Sequence, residues 1–112
     1  MSGDLDEVLR AIAEPRRRAI LRLVATEELP AGRIAEHFDV TRSAVSQHLQ
    51  VLKDAGLIIE RRDGTKRIYR ASEDALGQLR DVVESLWRDS MMKARESVEG
   101  TDTGARDETA VG

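Results

Sequence analysis

The sequence predicts a mainly α-helical domain that carries one small β-hairpin. Aromatic residues make up only 3% of the 112-residue chain, so the core must be built from Leu, Ile, Val and Ala, which favours helices. Apolar residues recur at helical spacing in several segments. A strand–turn–strand pattern follows at residues 57–71. The length suffices for one domain with a real core, but not for two.

Composition excludes several classes of protein. The chain has no cysteine, which excludes disulfides, thiolate metal sites and thiol catalysis. There is no signal-peptide pattern and no apolar run long enough for a bilayer, so we expect a cytoplasmic protein without a membrane partner. The net charge of −3 is divided unevenly, with +2 in residues 1–71 and −5 in residues 72–112. One face of the first part can therefore still be positive and meet nucleic acid.

Two short amphipathic helices are predicted at the N-terminus, over residues 4–13 and 15–26. The second is expected to bury an apolar stripe: Ile20, Leu23 and Val24, with Leu21 at its margin. Its first turns hold four arginines: Arg16, Arg17, Arg18 and Arg22. A phosphate partner and a solvated charge run paired with local carboxylates explain these arginines equally well.

A helix-turn-helix is predicted next. Residues 27–30 are interpreted as a linker, and residues 31–38 as a short helix with Ile34, Ala35 and Phe38 facing inward. Asp39 and Val40 form a tight turn before a helix over residues 41–55. Two short helices joined by a few residues are the pattern of this motif.

The second helix of the motif has a start signal, an apolar stripe and a stop signal. Thr41 can cap its N-terminus, and Gly56 lies where a helix ends in a left-handed residue. Val45, Leu49 and Leu52 form the apolar stripe. The other face carries hydrogen-bonding side chains near the N-terminus: Arg42, Ser43, Ser46, Gln47 and His48. Such a face suits base edges in a major groove, although a surface helix with a polar face is the alternative.

A basic β-hairpin is predicted directly after this helix. Asp63-Gly64 between two β-prone runs is a strong hairpin signal. Leu57, Ile59 and Ile68 are expected to point to the core. Four cations surround the turn: Arg61, Arg62, Lys66 and Arg67. A basic hairpin tip beside a helix-turn-helix is a wing that would reach phosphates or a minor groove, so the predicted fold class is a winged helix-turn-helix.

A long helix is predicted from the Ser72 N-cap to about residue 96 or 99. Its apolar residues alternate in steps of three and four, as in a heptad seam. The seam residues include Leu79, Val83, Leu86, Trp87 and Met91. A partner helix from a second copy is the simplest explanation, and packing within the same domain is the alternative. Residues 100–112 lack an apolar period and are predicted to be a disordered tail, which leaves a domain over residues 1–99.

Four stretches resemble the ArsR-type winged-helix repressors: 9–23, 34–38, 45–57 and 61–69. The resemblance implies a homodimer held by its first and last helices, with Leu5 and Leu9 joining the seam. It implies binding to palindromic operator DNA and repression released by a signal. By position, Ser43, Ser46 and Gln47 would contact bases, and Arg42 a base or a phosphate. His48 would touch the backbone or orient a neighbour, and the four cations of the hairpin would belong to the wing.

One departure from the family concerns metal sensing. Many members bind metals through cysteines in the third helix, where this chain has Pro30 and Gly32, or through His and carboxylates on the last helix, which here has no histidine. The resemblance therefore implies the branch without a metal or other cofactor. Its signal is an unidentified inducer, either a small molecule or a partner protein, or simply the concentration of the protein itself. The alternatives are a metal-responsive repressor and a winged-helix interaction module that does not bind DNA. An enzyme is not expected, since the sequence offers no nucleophile–base pair and no phosphate-binding glycine loop.

Overall fold

The computed structural model describes the backbone of residues 5–101 and the side chains of residues 5–96. The chain divides into two compact units, Met1–Gly77 and Gln78–Gly112. The elements are α1 (Leu5–Ile12), α2 (Pro15–Thr26), β1 (Leu29–Pro30), α3 (Ala31–Ala35), α4 (Arg42–Asp54), β2 (Ile58–Asp63), β3 (Lys66–Ala71) and α5 (Glu73–Thr101). This order confirms the mainly helical fold with a hairpin. Helix α5 passes the predicted boundary at residue 99, and the rest of the predicted tail, residues 102–112, lies outside the described residues.

Helix α4 begins and ends as its sequence predicts. The hydroxyl of Thr41 accepts a hydrogen bond from the N–H of Ala44 at 3.0 Å, which satisfies a donor that has no partner inside the helix. At the other end Gly56 adopts a φ of +79°, a conformation that a side chain disfavours. The N–H of Leu57 then reaches back to the carbonyl of Leu52 at 2.9 Å, as in a glycine-terminated helix.

The core of the first unit lies where α1, α2, α3 and α4 meet the sheet. Its largest fully buried side chains are Ile20, Val24, Ile34, Val45, Leu52 and Leu57. The stripe predicted for α2 is wrong at one position, because Leu21 is buried and Leu23 is only partly buried. Residues 20, 21 and 24 share one helix face at the observed rotation of α2, which places residue 23 at its edge.

The sheet has three antiparallel strands in the order β1-β3-β2. Strand β1 lies within residues 27–30, so the interpretation of that stretch as a linker is wrong in part. Leu29 stands opposite Tyr69 and Pro30 opposite Ile68. A strand of two residues is too short to show a period, and proline is tolerated because β1 lies at the edge of the sheet.

The hairpin of β2 and β3 confirms the predicted turn but corrects one core residue. Gly64 has a φ of +68°, as the Asp-Gly turn requires. Ile58 is 3% exposed and stands opposite the buried Ala71, whereas Ile59 is 38% exposed. The expectation that Ile59 points to the core is therefore wrong, because neighbouring residues of a strand face opposite sides. Leu57 and Ile68 are buried as predicted.

Candidate nucleic-acid interface

The N-terminal half of α4 presents a polar face to solvent. Its apolar stripe points into the core, which leaves the opposite side of the helix uncovered. The exposed side chains on that side are Arg42, Ser43, Ser46 and Gln47. The first turn of α4 contains no acidic residue, so nothing there offsets the partial positive charge of the helix N-terminus. This face can therefore meet an anion or the edges of bases.

His48 differs from these neighbours because it is half-buried. Its Nδ1 is buried and has no hydrogen-bond partner in the described part of the chain. The imidazole lies near Glu14, the residue that caps α2. Burial raises the pKa of Glu14, but hydrogen bonds from the N–H groups of Arg17 and Arg16, together with His48, lower this pKa below its ordinary value. Contact of His48 with DNA stays a prediction, as does its role in orienting a neighbour.

A groove of 460 Å³ runs between α3, the start of α4 and the hairpin. Its charged lining consists of Arg33, Glu36, Arg42, Lys66 and Arg67. Arg33 lies 3.6 Å from Glu36, while Arg42 and Lys66 form no ion pair within the described residues. Arg67 is paired with Glu60 outside the lining, so the positive surplus of the groove comes from Arg42 and Lys66. An anion held there would lie between the polar face of α4 and the wing.

The four cations of the wing differ in their partners. Arg61 donates to Glu28 through Nη2 at 2.6 Å and through Nε at 3.1 Å. Arg67 places its Nε 3.2 Å from Oε2 of Glu60. The two other wing cations are exposed and unpaired within the described part of the chain: Arg62 and Lys66. In the free chain these two are the wing cations most accessible to a phosphate. Whether any of the four contacts DNA stays a prediction.

The arginines at the start of α2 have a role that neither interpretation of the sequence included. Arg17 donates from Nε to the carbonyl of Ala11 at 2.6 Å, and Arg18 donates from Nη1 to that of Ile12 at 2.7 Å. These carbonyls belong to the last residues of α1, so no N–H group of the helix donates to them. Arg17 and Arg18 therefore join the end of α1 to the start of α2. Arg16 and Arg22 are exposed, so a phosphate partner and a solvated charge run still explain these two equally well.

Large apolar side chains are exposed on α1 and on α5. On α1 they are Leu5 and Leu9, which are 43% and 45% exposed. On α5 they are Val83, Leu86, Trp87, Met91 and Met92, and Trp87 is 67% exposed. These residues include every predicted dimerisation residue except Leu79, which is half-buried. Their burial in an interface stays a prediction.

Neither a metal-binding cluster nor a membrane-spanning helix occurs among the residues that the structure describes. No group of three or more His, Asp or Glu side chains lies close enough to hold a metal ion in the described chain. His37 directs its Nδ1 to the carbonyl of Arg33 at 2.9 Å. No helix in the same residues is long and apolar enough to cross a membrane.

Comparisons with known proteins agree with this geometry. The family model of the bacterial regulatory protein, arsR family, matches residues 14–60. The HTH-type transcriptional regulator Rv2034 of Mycobacterium tuberculosis is 37% identical over 100 residues, which cover 88% of this chain and 94% of that protein. The transcriptional repressor SdpR of Bacillus subtilis is 42% identical over 72 residues, which cover 64% and 80% of the two chains. The homodimeric winged helix-turn-helix DNA-binding domain Mb0332 of Mycobacterium bovis, solved by NMR, has a TM-score of 0.63 and 30% identity, covering 89% of this chain and 86% of that one. The winged helix-turn-helix prediction is confirmed.

Proposed function

Because the chain belongs to the ArsR family of bacterial regulatory proteins, we propose that it is a transcriptional repressor that binds a palindromic operator as a homodimer. The observation that carries the proposal is the exposed polar face at the start of α4, beside a groove with surplus positive charge. A repressor of this kind acts in the cytoplasm, where the DNA lies.

The side chains of α4 are suited to base contacts by type and by spacing. Ser43, Ser46 and Gln47 lie at i, i+3 and i+4, so they share one face of the helix. Hydroxyl and amide groups both donate and accept hydrogen bonds, and a glutamine can bond an adenine edge in the major groove through two atoms. Arg42 at the first helical position can reach a guanine or a phosphate. This arrangement supports sequence-specific binding.

The cations around the helix supply the contacts to phosphates. Arg42 and Lys66 line the groove without an ion pair among the described residues, and Arg62 is exposed on the wing. Phosphate contacts fix the register and orientation of a protein on the duplex, while base contacts provide the sequence preference. The wing and the start of α4 would thus bind backbone phosphates that flank the bases contacted by α4.

A homodimer accounts for the exposed apolar residues of α1 and α5. An uncovered tryptophan among leucine, valine and methionine is unusual on the surface of a soluble monomer and marks an interaction surface. Mb0332 is homodimeric, which supports the same assembly for this chain. A two-fold dimer presents two copies of α4 about one helical turn of DNA apart, roughly 34–36 Å, and so matches a palindrome.

The experiment that tests the proposal is selection from a pool of random DNA duplexes. The protein should enrich a palindromic sequence, and its affinity for that duplex should exceed its affinity for a shuffled duplex by about a thousandfold or more. Affinity for both duplexes should fall as salt rises, because phosphate contacts release counterions. Enrichment of no sequence together with a flat salt dependence would refute DNA recognition, and enrichment of a single half-site would refute the homodimer.

Variants of α4 assign the selected sequence to its polar face. The double variant Ser46→Ala/Gln47→Ala should lose preference for the selected duplex while it keeps binding to the shuffled one. Gln78→Ala is the matched control, because Gln78 is an exposed glutamine that lies on α5, outside the polar face of α4. Equal losses in both variants would show that the polar face does not contact bases.

A further inference from the structure

Glu60 is a carboxylate that joins α4 to the wing. Lys53, in the last turn of α4, donates from Nζ to Oε1 of Glu60 at 2.8 Å. Arg67, on β3, places its Nε 3.2 Å from Oε2. The side chain of Glu60 is 18% exposed, against 38% for Lys53 and 56% for Arg67. Each carboxylate oxygen thus holds a cation from a different element, and the carboxylate is the inner member of the three.

The register of the hairpin explains how Glu60 reaches both partners. Glu60 stands opposite Tyr69 in the β2–β3 ladder, which makes Arg67 its diagonal neighbour. Diagonal neighbours lie within reach of long side chains. Helix α4 contacts β2, which brings Lys53 to the same place. A cleft of 190 Å³ at this junction is lined by all four of these residues and by Ser46, one of the side chains proposed to contact bases.

We propose that Glu60 is a positioning residue, which sets the orientation of the wing relative to α4 for sequence-specific binding to DNA. The inference rests on the proposed function. Without the carboxylate, Lys53 and Arg67 would face each other across the cleft as like charges and repel. The wing would then move away from α4. Base contacts from α4 and phosphate contacts from the wing must be made together on one duplex, so this movement weakens operator binding most.

Loss of Glu60 is expected to weaken binding to the operator, whereas simple removal of a negative charge would strengthen it. A carboxylate beside a DNA-binding surface repels phosphates, so its removal alone should strengthen binding to every duplex. Non-specific binding needs cations but no fixed geometry, and it should be unchanged or stronger without Glu60. A positioning role therefore predicts that the ratio of operator affinity to shuffled-duplex affinity falls.

The test compares Glu60→Gln with Asp63→Asn, using the selected palindrome and a shuffled duplex of equal length. Asp63 is exposed at the tip of the same hairpin and forms no ion pair of 4 Å or less within the described residues. Asparagine also suits the turn, so Asp63→Asn removes one negative charge and leaves the wing in place. Glu60→Gln should lower the affinity ratio about fivefold or more, since two partly exposed ion pairs are lost. Asp63→Asn should leave the ratio unchanged.

A second measurement needs no DNA. Hydrogen–deuterium exchange of the free chain should become faster at residues 58–71 in Glu60→Gln but not in Asp63→Asn, because the wing loses its link to α4. Wild-type protein that prefers no sequence would refute the proposed function. Wild-type preference with an unchanged ratio in Glu60→Gln would refute the role of Glu60 alone. Unchanged exchange at the wing would refute the link between the wing and α4.

Discussion

Lys66→Ala should flatten the salt dependence of DNA binding, whereas Arg61→Ala should change it much less. Both residues are exposed cations of the same hairpin, predicted from the sequence to surround its turn. The structure distinguishes them, because Lys66 has no ion pair in the described residues while Arg61 donates to Glu28 at 2.6 Å. A phosphate must displace Glu28 to bind Arg61. A phosphate can bind Lys66 without breaking any such contact.

The size of the effect follows from counterion release. Each phosphate neutralised by a cation contributes about −0.9 to the slope of log K against log salt concentration. A homodimer loses two such contacts in Lys66→Ala, so the slope should become less negative by about 1.8. When salt rises from about 50 to about 200 mM, the fold-loss of affinity should therefore be about ten times smaller for the variant than for the wild type. In Arg61→Ala the change should stay well below that, because Glu28 already neutralises the guanidinium.

The assay is fluorescence anisotropy with a labelled shuffled duplex, titrated at several salt concentrations. Arg80→Ala is a control for the loss of one positive charge elsewhere, since Arg80 is exposed on α5 and pairs with Asp81 at 3.7 Å. An unchanged slope for Lys66→Ala would show that Lys66 does not contact DNA. An equal flattening by Arg61→Ala would show that the ion pair with Glu28 does not decide which cation contacts phosphate.

Four further outcomes are expected. Gln47→Ala should abolish discrimination at one base position, worth about 1–3 kcal/mol, in a scan of single-base operator changes, and equal losses on random DNA would contradict this role. Trp87→Glu should yield monomers in analytical ultracentrifugation and lose operator binding, and a dimer that persists would exclude Trp87 from the interface. Arg17→Met should lower the free energy of unfolding in urea by about 1 kcal/mol, because carbonyls at the end of α1 lose a donor, without altering the salt slope; an unchanged stability would assign Arg17 no such role. The hydrogen bond from Lys53 lowers the pKa of Glu60 from its ordinary value. The ionised carboxylate of Glu60 therefore stabilises the fold above its ordinary pKa, and this stabilisation is lost as the pH falls through the lowered pKa. The difference in unfolding free energy between wild type and Glu60→Gln should shrink over that acid range, and a pH-independent difference would contradict the ion pair.

Prediction from the sequence succeeded where the signal was local. The cap at Thr41, the left-handed Gly56 and the hairpin turn at Gly64 are predictable because each depends on a few consecutive residues. The errors were at places where the pattern was ambiguous or short. Two adjacent isoleucines at positions 58 and 59 fit either face of a strand, and the register with β3 selected Ile58 for the core.

In the candidate site, too, local features were predictable from the sequence and contacts between distant residues were not. Spacing places five polar residues on one face of α4: Arg42, Ser43, Ser46, Gln47 and His48. The first four are exposed there, whereas His48 is half-buried with a buried Nδ1. No local pattern indicated that Glu28 would pair with a cation of the wing. This glutamate belongs to a stretch interpreted as a linker, and β1 brings it to the hairpin by pairing with β3.

Helix periods, caps and turn residues specify the elements of this protein, because they act over a few bonds and are written in consecutive residues. The partners of its cations are set by packing. Arg61 meets Glu28 across 33 residues of chain, and Glu60 gathers Lys53 from α4 and Arg67 from β3. Charge type can be read in a sequence, but the neutralisation of a charge depends on distance in space. The sequence therefore identified a basic wing, and the fold distinguished its paired cations from its unpaired ones.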